Sequence, residues 1–146
     1  MRRSMLFLPG NNPNLLINGN CLGSDAVIFD LEDAVAPDQK DAARILVRNT
    51  MRYMDFRGCE IIVRINSIDT PFWTKDLDAI IPVRPSLIMP PKTSCAADVL
   101  AVDKAAPLLT HPTGDKNEPT LWHGVRELLA YELACGGQVS LVNRLD

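Results

Sequence analysis

Apolar runs and amphipathic segments alternate from residue 5 to residue 105 of this chain. The runs are short and rich in β-branched or other apolar residues, which predicts strands. The predicted strands are residues 5–8, 26–31, 60–65 and 87–89. The intervening segments carry apolar residues at helical spacing. The predicted helices are residues 13–22, 38–56, 74–81 and 96–105.

The longest predicted helix, residues 38–56, has an apolar side and a charged side. The apolar side includes Ala43 and Val47 and is predicted to pack on the core. The charged residues belong to the opposite side. They are Lys40, Asp41, Arg44 and Arg48.

Strands that alternate with helices of this length indicate β-α-β units and a parallel sheet, so the predicted fold class is α/β. The strands are apolar at consecutive positions, as expected when both faces of a parallel sheet are covered. Four such units fit either half of a (β/α)8 barrel or a small doubly wound sheet. Hydrophobic periodicity alone does not choose between these two folds.

The residues after the fourth unit follow a different pattern, so we divide the chain into residues 1–105 and a divergent loop-helix tail, residues 106–146. Residues 109–119 are rich in Pro, Gly, Asn, Asp and Lys and predict a loop. Residues 121–135 are amphipathic and predict a helix that Gly136 and Gly137 cap. Residues 139–142 are a candidate fifth strand.

The composition argues against several classes of protein. The 146 residues include 15 basic and 18 acidic residues, a net charge of −3, so no electrostatic footprint for nucleic acid or an anionic membrane exists. The sequence has no apolar stretch long enough for a membrane-spanning helix. The cysteines lack C-x-x-C spacing and are predicted to be reduced thiols in a cytoplasmic protein. They are Cys21, Cys59, Cys95 and Cys135.

Polar residues collect where each predicted strand ends. They are Pro9-Gly10-Asn11-Asn12, Asp30-Leu31-Glu32-Asp33, Arg64-Ile65-Asn66 and Pro90-Pro91-Lys92. Sites in parallel α/β folds are built at the carboxyl ends of the strands. Arg64 can bind a carboxylate or oxo-acid through two hydrogen bonds, and the carboxylates can hold a divalent cation directly or through its waters. Such a cation stabilises an alkoxide or enolate, so this set of residues fits aldol- or Claisen-type cleavage of a small oxyacid.

Each of these residues also has a purely structural interpretation. Asp30 can cap a turn or pair with Arg64, and Arg64 can serve only in that ion pair. Glu32 and Asp33 can be solvated loop charges, and Lys92 can be an ordinary surface lysine. The residue pattern leaves these alternatives open.

Two further features are interpreted as ordinary. His111 and His123 lie in the tail and are taken as polar positions and not as a metal-binding pair. The turn after the first strand lacks the G-x-G-x-x-G and P-loop patterns, so nucleotide binding through those motifs is not supported.

Several segments occur in the order found in one known family. They are RSMLFLPGN at 3–11, DAVIFDLEDAVAP at 25–37, Lys40, Ala43-Arg44, VRIN at 63–66 and Pro91-Lys92. Together they resemble the citrate lyase beta-subunit family of the HpcH/HpaI aldolase superfamily, over about residues 3–105. The resemblance implies that residues 1–105 are the N-terminal half of a (β/α)8 TIM barrel.

The resemblance also implies a function. Members of this family are carbon–carbon lyases that use Mg²⁺ to cleave citryl-CoA to acetyl-CoA and oxaloacetate, or to cleave malyl-CoA or another 3-hydroxyacyl-CoA. Arg64 matches the arginine that binds the oxaloacetate carboxylate. Glu32 and Asp33 match carboxylates near the metal that act through its waters. The implied partners are a CoA ester and an oxo-acid, a citrate lyase alpha subunit, an acyl carrier subunit and further copies in an oligomer.

The sequence departs from the family after residue 105. The "E-T-A" and "D-L" segments that carry the direct Mg²⁺ ligands are not recognisable there. Glu118, Glu127 and Glu132 lack the expected context, and Asp146 is the last residue. We therefore assign no direct metal ligand, and we expect an incomplete or frame-altered member of the family with weak or absent turnover by itself. A non-catalytic half-barrel that binds a partner subunit or a CoA ester is the alternative.

Two structural expectations follow from these departures. Pro90 stands where relatives have leucine, and proline lacks the N–H that a strand uses, so the fourth strand should end early. A half-barrel also leaves two edge strands open. It should therefore dimerise, aggregate or use residues 106–146 as a cover.

Overall fold

The structure is a computed structural model that describes residues 2–56, 58–109 and 143–144. Strands and helices alternate in the predicted order, with small differences at their ends. The strands are β1 Met5–Pro9, β2 Ala26–Asp30, β3 Glu60–Arg64, β4 Leu87–Met89 and β5 Asn143–Arg144. The helices are α1 Pro13–Asn18, α2 Lys40–Tyr53, α3 Trp73–Ile80 and α4 Ala96–Leu109.

The order of the strands decides between the two folds that periodicity left open. Strands β1 to β4 are parallel, and each lies beside the strand that precedes it in the chain. A doubly wound sheet reverses its strand order at a switch point, whereas a (β/α)8 barrel adds each strand next to the last. The prediction of a partial barrel with four βα units is therefore confirmed.

The core lies on both faces of this sheet. On the face covered by helices, Phe29 and Val63 pack with Leu16, Ala43 and Val47, which come from α1 and α2. Full burial of such side chains contributes about 1.5–3 kcal/mol each. The opposite face carries a cluster made only of strand residues, each at most 1% exposed. Its members are Ala26, Ile28, Ile62 and Leu87.

The edge of the sheet at β4 is partly covered by the tail. Strand β5 pairs antiparallel with β4, with Leu87 opposite Arg144 and Ile88 opposite Asn143. The expectation that residues 106–146 shield an edge is met at this position. At the other edge, β1 has one neighbour, β2, among the strands that the structure describes.

The end of strand β4 agrees with the prediction, and the end of helix α4 does not. Strand β4 stops at Met89, immediately before Pro90, as expected. Helix α4 continues to Leu109, past the predicted end at residue 105 and through Pro107. Residue 109, where the predicted loop starts, is therefore helical, and residues 110–119 of that predicted loop lie outside the described residues. The predicted helix 121–135 and candidate strand 139–142 lie outside the described residues.

The turn after β1 is drawn against the end of β2. The Gly10 N–H donates to the carbonyl oxygen of Asp30 at 2.8 Å, and a Cβ at Gly10 would approach that oxygen to 2.7 Å. Only glycine permits this approach without a shift of the backbone.

No helix among the described residues is long and apolar enough to cross a membrane. Cys21, Cys59 and Cys95 are free thiols.

Candidate functional site

The register of β2 and β3 brings the first two candidate site residues together. Asp30 and Arg64 end their strands and lie opposite each other. Arg64 Nε donates to Asp30 Oδ1 at 2.8 Å, and Arg64 Nη2 donates to Asp30 Oδ2 at 2.6 Å. The two parallel hydrogen bonds fix the plane of the guanidinium. This edge of the sheet, formed by the carboxyl ends of β1 to β4, is called the rim below.

Asp30 is fully engaged by protein groups. Besides Arg64, it accepts hydrogen bonds from the backbone N–H groups of Glu32 and Ala34, at 2.8 and 3.2 Å. Its burial opposes ionisation, but the hydrogen bonds from Arg64 and from the two backbone groups outweigh that effect and lower the pKa of Asp30. Asp30 therefore both caps the turn and pairs with Arg64, so both structural interpretations hold.

Arg64 keeps one amino group for other contacts. Its Nη1 lies 3.2 Å from Glu32 Oε2 and 3.7 Å from Asp33 Oδ2. The guanidinium carbon is 5.0 Å from the centre of the Phe7 ring, a cation–π distance. Hydrogen bonding to Asp30 raises the pKa of Arg64, so the side chain is a permanent cation. With its side chain one-fifth exposed, Arg64 is reachable from solvent.

Lys92 reaches the same group of carboxylates from the end of β4. Its Nζ lies 2.9 Å from Glu32 Oε1 and 3.3 Å from Asp33 Oδ1, and these contacts raise its pKa. Lys92 has a positive φ of 52°, a conformation that is uncommon outside glycine and recurs at functional sites. The structure thus brings Arg64, Glu32, Asp33 and Lys92 to one place, as the positions after the strands predicted.

The Glu32 carboxylate combines burial with incomplete hydrogen bonding. Its side chain is 8% exposed, and each oxygen lies near one cation of the described residues, Oε2 at 3.2 Å from Arg64 Nη1 and Oε1 at 2.9 Å from Lys92 Nζ. A carboxylate oxygen can accept more than one hydrogen bond, so acceptor capacity remains on both oxygens. A buried carboxylate with spare acceptor capacity suits a ligand that brings donors of its own.

The charges around the rim balance once the lysine behind it is included. Three carboxylates (Asp30, Glu32 and Asp33) meet three cations, Arg64 and Lys92 at the rim and the buried Lys40 behind the turn. A divalent cation would add positive charge and make the rim more attractive to an anion. Cation and oxo-acid binding are therefore electrostatically coupled here.

The donor set fits contact with a hydrated Mg²⁺ but does not form a direct ligand shell. Mg²⁺ retains several of its waters, whose protons need acceptors. The remaining acceptor capacity of the Glu32 oxygens and the exposed carboxylate of Asp33 can accept these protons. Within the described residues, no three His, Cys, Asp or Glu side chains are placed to bind one metal ion. The tail residues considered for metal binding lie outside that part of the chain. They are His111, His123, Glu118, Glu127, Glu132 and Asp146.

Two residues of α2 have a different environment from the one that the sequence pattern predicted. Lys40 and Arg44 belong to the charged side of the predicted helix, but they are only 7% and 6% exposed. That prediction was wrong for these two residues because each finds polar partners inside the protein. Their spacing was the available signal, since Lys40, Ala43, Arg44 and Val47 follow one helical stripe.

Lys40 lies directly behind the acidic turn. Its Nζ donates to the carbonyl oxygens of Leu31 and Glu32, both at 2.6 Å. Burial lowers the pKa of Lys40, while nearby carboxylates, Asp76 foremost, act in the opposite direction. The sequence pattern did not single out Lys40 as part of the site.

Comparison with known proteins assigns this chain to a family. The model of the HpcH/HpaI aldolase/citrate lyase family matches residues 3–122. The chain therefore belongs to this family, and the resemblance noted in the sequence is confirmed. The match continues beyond residue 105.

The individual relatives include a citrate lyase subunit and a malyl-CoA thioesterase. The chain is 42% identical over 97 residues to citrate lyase subunit beta of Leuconostoc mesenteroides subsp. cremoris, covering 66% of this chain and 32% of that protein. It is 42% identical over 105 residues to a (3S)-malyl-CoA thioesterase of Cereibacter sphaeroides, covering 72% and 37%. The chain spans about a third of the length of these relatives.

A solved structure supports the same assignment. The citrate lyase beta subunit of Mycobacterium tuberculosis, complexed with oxaloacetate and magnesium, is similar with a TM-score of 0.57 and 36% sequence identity. The similarity covers 67% of this chain and 42% of that one.

Proposed function

We propose that this chain carries the oxo-acid end of the active site of a Mg²⁺-dependent carbon–carbon lyase of the citrate lyase beta-subunit type. The observation that carries the proposal is the placement of Arg64. Asp30 fixes its guanidinium, and its remaining amino group faces the rim beside Glu32 and Asp33. The relatives, one of them solved with oxaloacetate and magnesium, support the same substrate class.

The proposed reaction is the cleavage of citryl-CoA to acetyl-CoA and oxaloacetate. Arg64 binds a carboxylate of the oxaloacetate portion and holds it in a fixed plane. Glu32 and Asp33 would hold a bound Mg²⁺ through hydrogen bonds to its waters. When bound, Mg²⁺ supplies stabilisation of negative charge on the reacting oxygen.

The bonds change as in a retro-Claisen cleavage. The substrate hydroxyl loses its proton, and its oxygen becomes the keto oxygen of oxaloacetate. The adjacent carbon–carbon bond breaks, and its electron pair forms the enolate of acetyl-CoA. Protonation of that enolate at carbon completes the reaction. Among the described residues we assign no group to either proton transfer, and we propose that this chain by itself has weak or no turnover.

Binding of oxaloacetate, measured by calorimetry with and without Mg²⁺, tests the proposal. Wild type should bind oxaloacetate in a Mg²⁺-dependent way because the cation adds positive charge beside the carboxylates of the rim. Arg64→Ala should weaken binding about tenfold or more, since hydrogen bonds to charged groups contribute about 1.5–3 kcal/mol. Arg64→Lys retains the charge and guards against misfolding, but it should also weaken binding because lysine cannot form the paired contact.

Arg3→Ala is the matched control for this experiment. Arg3 also pairs with an aspartate, Asp25, through two side-chain hydrogen bonds, but at the opposite end of the sheet. It should leave oxaloacetate binding unchanged. If wild type bound neither Mg²⁺ nor oxaloacetate, the chain would be a non-catalytic half-barrel and the lyase proposal would fail.

The malyl-CoA thioesterase relative favours a second candidate, cleavage of malyl-CoA or a related thioester. The oxo-acid produced from malyl-CoA is glyoxylate, which has one carboxylate, whereas oxaloacetate has two. Comparison of their affinities in the same calorimeter separates the candidates. Tighter binding of oxaloacetate favours citryl-CoA, and tighter binding of glyoxylate favours malyl-CoA.

We also propose the partners that the family resemblance implies. These are a CoA ester, a citrate lyase alpha subunit and an acyl carrier subunit, with an oligomer of this chain in a cytoplasmic location. Strand β1 has one neighbour among the described strands, which supports pairing with a further strand at that edge. Sedimentation of the purified chain tests the oligomer, and the monomer alone would contradict it.

A further inference from the structure

Helix α2 carries two buried cations that are one helical turn apart. Hydrogen bonds connect each of them to a different loop of the rim. Lys40 and Arg44 are the first and fifth residues of α2. They share a helical stripe with the core residues Ala43 and Val47, so both side chains are directed inward. Burial of two cations in one stripe is unfavourable unless each is paired or hydrogen-bonded. Their partners therefore indicate what they do.

Lys40 holds the turn that follows β2. Its ammonium bridges the carbonyl oxygens of Leu31 and Glu32, so it contacts the backbone on both sides of the Glu32 nitrogen. A Glu32 side chain directed at the rim requires this backbone to stay in place. Lys40 makes these contacts from the buried side of the turn.

Arg44 leads to the turn that follows β3. Its Nε donates to Asp76 Oδ1 at 2.9 Å. The other oxygen of Asp76 accepts from the backbone N–H of Asn66 at 2.8 Å and from Asn66 Nδ2 at 2.7 Å. Asp76 is fully buried, and Asn66 follows Arg64 by two residues. Helix α2 thus reaches the Arg64 turn through Asp76.

We propose that Lys40 and Asp76 are positioning residues for the candidate site. Through them, the first residues of α2 fix the position of the loop that carries Glu32 relative to the position of Arg64. The proposal rests on the proposed function of the rim, because it concerns the distance between the two groups that would contact the cation and the oxo-acid. Lys40 acts through the carbonyl oxygens of Leu31 and Glu32, and Asp76 acts through Asn66.

Substitution of Lys40 separates positioning from a simple effect of charge. Lys40→Met removes a positive charge near four carboxylates, those of Asp76, Asp30, Glu32 and Asp33. If Lys40 acted through charge alone, this variant would bind Mg²⁺ more tightly and oxaloacetate more weakly. If Lys40 positions the turn, both ligands should bind about 10- to 100-fold more weakly, as found when groups that orient metal-site residues are removed.

Lys40→Arg is the rescue variant, because arginine keeps the charge and can donate to both carbonyl oxygens. It should restore most of the affinity for both ligands. Lys75→Met is the matched control, since Lys75 is an exposed lysine of the neighbouring helix α3. It should change neither affinity. Tighter Mg²⁺ binding by Lys40→Met, or no change, would overturn the proposal.

A ligand-free measurement keeps the proposal distinct from the proposed function. The Arg64 Nε–H, which donates to Asp30, gives its own NMR signal. In Lys40→Met and Asp76→Asn this signal should shift or broaden, and the amides of Glu32 and Ala34 should exchange faster with solvent. The amides of β2 should stay protected, which shows that each variant is folded.

The ligand-binding and NMR experiments distinguish failure of the proposed function from failure of the positioning role. If wild type bound no ligand while the NMR changes occurred, the proposed function would fail and the role of Lys40 and Asp76 in holding the rim would stand. If the Arg64 signal and both amides matched wild type in the two variants, the positioning role would be wrong even if oxaloacetate bound.

Discussion

The two ends of β2 carry similar aspartate–arginine pairs in very different surroundings. At the amino end, Arg3 Nε and Nη2 contact Asp25 at 3.2 and 2.8 Å. At the carboxyl end, Arg64 Nε and Nη2 contact Asp30 at 2.8 and 2.6 Å. The Arg3 side chain is 78% exposed, and the Arg64 side chain is 20% exposed. The same pair of groups is therefore a surface contact at one end and part of a partly buried cluster at the other.

The neighbours of each pair determine what it can do. Asp25 also accepts hydrogen bonds from the backbone N–H groups of Arg3 and Ser4, which ties the segment before β1 to the start of β2. Arg64 has additional carboxylates beside it, Glu32 and Asp33, that its pairing with Asp30 does not neutralise. The first pair stabilises a local structure, whereas the second lies beside carboxylates that can also contact a ligand. In barrels of this type, the carboxyl-end face carries the site and the amino-end face carries stability.

Loss of Arg64 should produce the largest change in stability. Arg64→Met leaves the Asp30 carboxylate buried without its partner, which should lower the free energy of unfolding by about 3 kcal/mol. Urea denaturation followed by circular dichroism measures this. Arg3→Met, the matched variant at the other end, should change the urea midpoint far less. Equal effects of the two variants would remove the distinction drawn between the pairs.

Acid should destabilise the protein partly through Asp30. The pKa of Asp30 is lowered in the folded state, so the native state binds fewer protons than the unfolded state when the pH falls below about 4. The stabilisation is therefore present above that pH and is lost as the pH decreases through the lower folded pKa. A series of urea midpoints from neutral to acidic pH should show a shallower decline for Asp30→Asn than for wild type.

Asp25 provides the comparison for this pH dependence. Hydrogen bonds from the Arg3 side chain, first, and then from backbone groups lower the pKa of Asp25 as well, so the sign is the same. High salt screens exposed charges more than buried ones. In high salt, the urea midpoint should decrease equally with falling pH in Asp25→Asn and in wild type. In Asp30→Asn it should still decrease less than in wild type. A salt effect of the same size at both positions would contradict the comparison.

The smallest expected effect is that of Arg3→Met at neutral pH. Exposed ion pairs contribute little because water and salt already screen them. The variant should lower the urea midpoint slightly at low salt and not measurably at high salt. A loss of stability that persisted in high salt would show that Arg3 acts through packing rather than through charge.

Much of the fold could be predicted from local pattern. Each strand before residue 105 is an apolar run closed by a turn, as in residues 87–89 before Pro90, and the strands formed where these runs occur. The placement of Arg64, Glu32, Asp33 and Lys92 at one edge also followed, because carboxyl ends of parallel strands meet there. Both predictions use information that lies within a few residues of each element.

The error at α2 has a physical cause that the sequence pattern does not show. Lys40 and Arg44 were placed on the charged side of α2, yet they are buried because carbonyl oxygens and Asp76 from other segments accept their hydrogen bonds. A charged residue is predicted to be exposed unless its partners are known, and these partners belong to other segments of the chain.

The sequence by itself therefore determined which segments are strands and helices, which chemical groups reach the rim, and the family resemblance. These depend on the period of apolar residues and on short motifs, which are local properties. Only the tertiary structure decided that the strands follow chain order as in a barrel, that Asp30 is occupied by Arg64, and that Lys40 and Asp76 hold the turns of the rim. Those features depend on contacts between residues far apart in the chain, and burial is defined only once such contacts have formed.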